Sequence, residues 1–266
     1  MIYLKAQNVK DATKLIEQNP HFSLLFGGSD LALKVQKNTI EGIIDISHLQ
    51  ELSYIRESQN SVEIGSLTTI NTILNNEIVK KHLAILAEAS QNFASYQIRN
   101  IASIGGNIAN ASPVADLIAP LLVLNARVTL VSTHGERTIL LEDLYSGYKS
   151  LNLKNELIKS FTITLKTQQH YYRKVGPRKS LNISKLSLAI VKNEDGFFIS
   201  GASLNPYISR FKHLETLLNT AAFSDDMIRE AISKDISPSG SYRSTKEYRS
   251  RVLFNMLKDA LLGFKK

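Results

Sequence analysis

Two paired glycines are the residues of this sequence whose types and spacing most suggest ligand chemistry. Gly27–Gly28 is followed by Ser29 and Asp30, and Gly105–Gly106 is followed by Asn107. Paired glycines let the backbone turn its N–H groups outward and let a ligand approach without a Cβ in the way. Two converging segments of this kind suit a pyrophosphate. Either pair alone could be an ordinary tight turn, and neither fits the GxGxxG or GxxxxGK[ST] pattern.

The composition excludes several other kinds of site. The chain has 266 residues and no cysteine, so it holds no disulfide, thiolate zinc site, catalytic thiol or cysteine-ligated iron–sulfur cluster. Its six histidines show no HxxxH or HExxH spacing, so a metal site is not expected. No nucleophile–base pair and no paired catalytic carboxylates stand out, and no catalytic residue is predicted.

The net charge of +8 has two interpretations. It predicts either a solvated, lysine-rich surface or attraction to an anionic ligand or an acidic partner. The basic residues are scattered and form no nucleic-acid-binding motif, so nucleic acid is not an expected partner.

The elements that position the glycines follow from the hydrophobic pattern. Strands are predicted over 22–26, 40–46, 62–64, 127–131, 137–141 and 157–165. Helices are predicted from an N-cap at Thr68 through Leu74, over 82–93, and from Ser112–Pro113 to Leu124. The polar, glycine-containing stretch 97–110 is predicted to be an ordered loop.

The character of the chain changes near residue 168. Two apolar runs, 185–191 and 197–204, flank the turn signal 193–196 and predict a β-hairpin. Helical spacing follows over 214–218, 227–233 and 246–262. The pattern predicts a first unit over 1–167 and a smaller α+β domain over 168–266.

No membrane-spanning segment is expected. The longest apolar stretch, Leu117–Leu124, is interrupted by Pro120, whereas a span needs about 20 apolar residues. The stretch Met1–Lys10 does not look like a signal peptide. We therefore expect a soluble, cytoplasmic protein.

The stretch from Gln97 to Asp116, which reads QIRNIASIGGNIANASPVAD, carries a family resemblance. It resembles the signature of the FAD-binding subunits of molybdenum hydroxylases, such as xanthine and carbon monoxide dehydrogenases. Leu25–Leu31 resembles the family's first glycine loop, with Phe26 in place of the usual small residue. Tyr172–Arg178, followed by Ile183, Ser184 and Leu186, resembles the start of the family's C-terminal domain. Ser241–Arg249 resembles its last helix start, and Ala6 replaces a common proline.

The resemblance implies a fold, a cofactor and partners. The expected fold class is α+β: a two-subdomain FAD-binding fold of the vanillyl-alcohol-oxidase (PCMH) type, with subdomains at about 1–56 and 57–167, followed by the C-terminal domain. The implied cofactor is FAD, and the implied partners are a molybdenum-cofactor large subunit and an iron–sulfur small subunit. Electrons would leave to NAD or another acceptor, and a purine is the default substrate of the complex. The alternative is a self-contained FAD oxidase, although the chain shows no catalytic base for it.

The resemblance also implies a set of FAD-binding residues. They are Leu25, Phe26, Gly27, Gly28, Ser29, Asp30, Leu31, Ser103, Gly105, Gly106, Asn107, Asp116 and Lys174. The two glycine segments would cradle the pyrophosphate mainly through backbone N–H groups, with Ser103 and Asn107 adding hydrogen bonds and the helix at Pro113 adding its dipole.

Four of the neighbouring side chains have competing interpretations. Asp116 would bind a ribityl or ribose hydroxyl, or would only stabilise a helix start. Lys174 would lie near the flavin ring, or would be a surface lysine in the basic segment 173–179. Tyr171 and Tyr172 could shield the flavin or pack in the core. Arg99 and Asn100 are expected to brace the loop.

Overall fold

The computed structural model describes residues 1–37, 39–178, 183–220, 222–242 and 244–264. The strands of this part of the chain are β1 (Ile2–Lys5), β2 (Ser23–Leu25), β3 (Gly42–Asp45), β4 (Ile55–Glu57), β5 (Ser61–Gly65), β6 (Arg127–Ser132), β7 (Gly135–Leu140), β8 (Tyr145–Gly147), β9 (Ser150–Leu151), β10 (Leu157–Thr164), β11 (Gln169–Val175), β12 (Leu186–Asn193) and β13 (Gly196–Ser200). The helices are α1 (Val9–Gln18), α2 (Leu31–Gln36), α3 (Ile70–Asn75), α4 (Glu77–His82), α5 (Ala84–Gln91), α6 (Tyr96–Ile101), α7 (Ile104–Ala109), α8 (Ile118–Val123), α9 (Lys212–Leu218), α10 (Asp225–Asp235) and α11 (Lys246–Phe264).

The N-terminal part forms a small parallel sheet of order β1-β3-β2. Parallel neighbours need a crossover connection; α2 lies between β2 and its neighbour β3, and α1 leads from β1 to β2 on the far side of the sheet. Asn8 caps α1 by accepting a hydrogen bond from the Asp11 N–H at 2.8 Å. The apolar side of this helix, with Ala12 and Ile16, packs with Ile44 of β3 in one hydrophobic cluster. The first glycine segment follows β2 directly.

A five-stranded antiparallel sheet of order β4-β5-β10-β6-β7 comes next. Its inward side chains, among them Ile64 and Phe161, share the largest hydrophobic cluster with the short helices α3 to α8. The strands predicted over 62–64, 127–131, 137–141 and 157–165 are confirmed within two residues at each end.

The C-terminal part is a sheet of order β11-β12-β13 with α9, α10 and α11. The predicted hairpin is confirmed, and Asn193 pairs with Gly196 at its turn. Residues 186–191 of strand β12 are buried on both faces, and all of them except Ser187 are apolar. Leu188 and Ile190 pack among the C-terminal helices, whereas Ala189 and Val191 belong to the largest cluster. The three predicted C-terminal helices are confirmed.

The prediction of a loop over 97–110 is wrong. This stretch forms α6 and α7, two six-residue helices that begin after serine N-caps. Ser95 accepts a hydrogen bond from the Ile98 N–H at 3.2 Å, and Ser103 accepts one from the Gly106 N–H at 3.1 Å. Helices this short have little stability of their own, so burial of Ile104 and Ile108 must sustain α7.

The predicted helix starts at Ser112–Pro113 and at Thr68 are also wrong. Helix α8 begins only at Ile118, because Ala111 has a φ of +47° and the Pro113 carbonyl accepts a hydrogen bond from the Ser203 N–H at 2.7 Å. Thr69, not Thr68, caps α3. The Thr68 hydroxyl instead donates to the Tyr54 carbonyl at 2.9 Å.

Among the described helices, none combines the length and the apolar character that a membrane crossing requires.

Candidate functional site

A cavity of about 670 Å³ lies where the two glycine segments meet. This volume falls within the range of about 300–1,000 Å³ that is common for ligand pockets. All of the residues predicted to bind FAD line it except Leu25 and Lys174. Leu25 ends β2, where its carbonyl accepts a hydrogen bond from the Ile46 N–H at 2.9 Å. The tertiary structure thus brings both glycine segments and Asp116 to one cavity.

Gly27 packs against the end of α6, the helix that leads into the second glycine pair. A Cβ placed on Gly27 would lie 1.7 Å from the carbonyl oxygen of Ile101, the last residue of α6. Only glycine permits this approach. Gly28 has a φ of +64°, a conformation that glycine adopts without penalty. The first glycine pair therefore forms a tight turn that packs closely against the end of α6.

The second glycine pair does not form a tight turn, because Gly105 and Gly106 lie within helix α7. A Cβ on Gly105 would lie 2.7 Å from Ser66, whose carbonyl accepts the Gly105 N–H at 2.8 Å. The N–H of Ile104 donates to the Thr68 carbonyl, and that of Asn107 donates to the Ser103 carbonyl. The Gly106 N–H is held by the Ser103 hydroxyl. These backbone N–H groups already have acceptors inside the chain, which weakens the expectation that they bind the pyrophosphate.

Within the part of the chain that the structure describes, three side-chain donors at the cavity wall can bond to a ligand. The Ser103 oxygen accepts the Gly106 N–H, and its own hydrogen can donate elsewhere. Asn107 uses its Oδ1 to accept the Leu117 N–H at 3.2 Å, which leaves its amide N–H₂ available. The Ser66 hydroxyl is buried and has no partner in the described part of the chain. An orphaned buried hydroxyl is costly unless a ligand satisfies it.

Gly106 provides the space for that ligand. It is exposed, and a Cβ on it would meet nothing nearer than the Ser103 Oγ at 3.2 Å. Its open face therefore borders the cavity itself. Together with the orphaned Ser66 hydroxyl, this cradle fits a polar, elongated group such as the FAD diphosphate. The residues that are present fit the cofactor.

Asp116 and Lys174 form a buried ion pair beside the cavity. The Lys174 Nζ lies 2.8 Å from the Asp116 Oδ2 and donates to the Asn92 carbonyl at 3.0 Å; its side chain is 2% exposed. The Ser184 hydroxyl donates to the Asp116 Oδ1 at 3.2 Å. Burial raises the pKa of the Asp116 carboxyl above its ordinary value, although Lys174 and Ser184 oppose that rise.

Two expectations are decided by this geometry. Lys174 is not a surface lysine, and Asp116 does not begin a helix but precedes α8. Lys179 of the basic segment and Arg243 of the last helix start lie outside the described residues.

The aromatic pair and the bracing arginine are also located. Tyr171 packs against the C-terminal cluster and Tyr172 against the largest one, which favours core packing. Arg99 donates to the Phe93 carbonyl at 2.9 Å, so it braces the segment as expected. Phe26, which the resemblance marked as a departure, lines the cavity.

Sequence reasoning did not assign Ser66, Lys34 or Glu156 to the site, although all three line the cavity. Lys34 is the one cationic residue that lines the cavity in the described ranges. Predicting a helix directly after Asp30, where α2 begins, would have placed Lys34 in the first turn beyond Gly27–Gly28. Glu156 immediately precedes a correctly predicted strand, but no local pattern indicated that it faces a ligand.

The family comparison agrees with the geometry. Residues 1–164 match the model of the FAD binding domain in molybdopterin dehydrogenase. The chain is 31% identical over 262 residues to the glyceraldehyde dehydrogenase medium chain of Sulfolobus acidocaldarius, an alignment that covers 94% of this chain and 93% of the relative. It is 28% identical to the xanthine dehydrogenase FAD-binding subunit of Escherichia coli O157:H7, with 97% and 94% covered.

The three-dimensional comparison gives the same result. A chain of carbon monoxide dehydrogenase from Hydrogenophaga pseudoflava superimposes with a TM-score of 0.90 at 26% identity, covering 98% of this chain and 96% of the other. That enzyme was solved without the Mo-pyranopterin moiety of its molybdenum cofactor. The chain therefore belongs to the family of FAD-binding subunits of molybdenum-hydroxylase-type dehydrogenases, and is an oxidoreductase subunit whose cofactor is FAD.

Proposed function

We propose that this chain is an electron-transfer subunit, and that electrons reach its FAD from iron–sulfur clusters on a partner chain and leave to NAD or another acceptor. The cavity at the glycine segments carries the proposal. It offers a cradle for FAD, but the chain has no cysteine for a cluster and no metal-binding group among its described residues. Bound FAD would supply the redox chemistry, and the chain would bind, orient and tune it.

The proposed partners are a molybdenum-cofactor large subunit and an iron–sulfur small subunit. Two of the relatives are named as a medium chain and an FAD-binding subunit, which supports membership of a larger assembly. In this proposal the substrate is hydroxylated on the large subunit, so this chain needs no catalytic base. The substrate class is then decided outside this chain.

We also propose how the fold is organised around FAD. The parallel sheet and the five-stranded sheet would be the two subdomains of the PCMH-type fold, at about 1–56 and 57–167, followed by a C-terminal domain over 168–266. Residues from both N-terminal sheets line the cavity, Ser23 from one and Leu157 from the other. That arrangement supports a cofactor held between two subdomains.

The proposed roles of individual residues follow from their contacts. The tight turn at Gly27–Gly28, with Ser29 and Lys34, would face the diphosphate. Ser103 and Asn107 would donate side-chain hydrogen bonds to FAD. Asp116 would accept a hydrogen bond from a ribityl hydroxyl while Lys174 holds the carboxylate in place from behind.

We expect the purified chain to carry FAD without a covalent bond. The first glycine segment has no histidine or cysteine for covalent attachment, and the cavity is held together by hydrogen bonds. Acid or heat denaturation should release a yellow supernatant with a flavin absorption spectrum. A colourless protein that also fails to bind added FAD would contradict the proposed cofactor site.

We expect NADH to reduce the bound flavin in the isolated chain, whereas xanthine and aldehydes should not. If electrons leave to NAD, microscopic reversibility requires the reverse transfer to be feasible. The measurement is anaerobic titration of the flavin absorption band with NADH and, separately, with each candidate substrate. Bleaching by an organic substrate alone would favour a self-contained oxidase. Bleaching by neither would leave FAD binding standing and argue for a different acceptor, such as oxygen or a quinone.

A further inference from the structure

A nearly buried carboxylate stands in the apolar wall of the cavity, where strand β10 begins. The Glu156 side chain is only 8% exposed, yet it lines the cavity together with Leu153, Leu157 and Ile158. A buried carboxylate is stable only when its hydrogen-bonding capacity is used. Glu156 thus places an anionic hydrogen-bond acceptor in a part of the cavity that is otherwise lined by the apolar residues Leu153, Leu157 and Ile158.

Arg137 of strand β7 fixes this carboxylate in one orientation. Its Nε lies 2.6 Å from the Glu156 Oε1 and its Nη2 lies 2.8 Å from the Oε2, a bidentate pair. The Lys154 N–H adds a third bond at 3.0 Å. The Arg137 guanidinium lowers the pKa of Glu156, so this group is charged and accepts only. A carboxylate has about four lone-pair sites, and the bonds from protein donors leave room for one from a ligand.

The position of Glu156 along the cavity separates it from the glycine segments. The Lys159 carbonyl accepts the Ser66 N–H at 3.0 Å, and the Ser66 carbonyl accepts the Gly105 N–H. Lys159 is therefore level with the second glycine segment. Glu156 lies three residues earlier, beyond the register shift between Ile158 and Ser160, at most about 10 Å along the chain. It therefore lies further along the cavity than the level of the second glycine pair.

We infer that Glu156 recognises the adenosine half of FAD, accepting a hydrogen bond from an adenosine donor while Leu153 and Leu157 pack against the adenine ring. The inference rests on the proposed FAD site. The other buried acceptor, Asp116, is assigned to the ribityl side of the cofactor. The flavin ring, whose N3–H is a further donor, is joined to the ribityl chain and so lies on the Asp116 side; the donors left for Glu156 are then the adenosine 6-amino group and ribose hydroxyls. An aliphatic wall beside an acceptor suits a flat ring of this kind.

The test compares FAD with ADP, which contains the adenosine half and the diphosphate but no flavin. Glu156→Met removes the acceptor and keeps the length of the side chain. Glu142→Met is the matched control, since Glu142 also pairs with a cation, Lys212 at 2.9 Å, but does not line the cavity. Affinity for FAD is measured by fluorescence on the apoprotein, affinity for ADP by competition, and folding by circular dichroism and thermal melting.

We expect Glu156→Met to weaken FAD and ADP by the same factor, about tenfold to a hundredfold for a lost bond to a charged acceptor. Glu142→Met should change neither. Weaker FAD binding with unchanged ADP binding would place Glu156 beside the flavin half and overturn the inference, as would no change in either. Wild-type protein that binds FAD but ignores millimolar ADP would also contradict an adenosine subsite. Wild-type protein that binds no FAD would instead refute the proposed function.

Discussion

Replacing Gly106 with valine is expected to reduce FAD affinity roughly a hundredfold or more, which corresponds to about 2.7 kcal/mol, with little change in thermal stability. The backbone at Gly106 is helical, and an added Cβ meets only the Ser103 Oγ at 3.2 Å. Valine is no worse a helix former than glycine. Its methyl groups would therefore fill the cradle without disturbing the core. Equilibrium FAD titration and a thermal melt measure the two effects.

Gly27→Ala provides the contrast. Its Cβ would lie 1.7 Å from the Ile101 carbonyl oxygen, so the two segments must separate and the fold itself should lose stability. The two variants distinguish a glycine needed for ligand space from one needed for chain packing. Unchanged FAD affinity in a well-folded Gly106→Val protein would show that the ligand does not approach α7.

Replacing Lys174 with methionine is expected to destabilise the protein by about 3–5 kcal/mol at neutral pH, the usual cost of leaving a buried charge without its partner. Asp116 would stay buried, with Ser184 as its remaining side-chain donor in the described residues. Loss of the cation also removes the support of a group that lines the cavity, so FAD affinity should fall. Urea unfolding, followed by circular dichroism, measures the stability.

The pH dependence identifies the cause of this loss. Without Lys174 the pKa of Asp116 rises further, so the folded variant binds a proton more tightly than its unfolded chain does. The stability of the variant therefore decreases as pH rises from the pKa of Asp116 in the unfolded chain to its raised pKa in the folded variant. The loss of stability relative to wild type is accordingly smaller in mild acid. A deficit that is independent of pH would point to lost packing instead of an unpaired charge.

Two further variants complete the design. Arg173→Met removes the neighbouring cation, which is more than half exposed and lies 3.3 Å from Asp259; a surface pair of this kind contributes about 0–1 kcal/mol. The double variant Asp116→Asn with Lys174→Met removes both charges, and it should recover much of the lost stability. Failure of the double variant to recover would indicate that Lys174 acts mainly through the Asn92 carbonyl.

Local signals in the sequence determined a large part of this structure. The hairpin at 193–196 and the amphipathic helix α11 depend on turn chemistry and on spacing within a few residues, which can be read directly. The glycine at position 28 needs positive φ, and that requirement is local as well. The family signature over 97–116 identified the cofactor, and the family comparison confirms it.

The same local signals failed where distant groups compete for the backbone. Ser112–Pro113 is a favourable helix start, but Ser203, some ninety residues later, takes the Pro113 carbonyl and the chain turns instead. The segment 97–110 is polar and contains glycine, yet it is helical because tertiary burial stabilises two helices that are too short to form alone.

The cavity itself was decided by tertiary structure. Nothing near Gly27 in the sequence shows that its missing side chain is the space for the Ile101 carbonyl. Lys174 looks like one basic residue among several, and only folding buries it against Asp116, 58 residues away. Glu156 becomes a candidate ligand residue only once Arg137 fixes it at the cavity wall. Residue types and short spacings specify local hydrogen bonds, whereas burial and charge pairing depend on which distant surfaces the fold brings together.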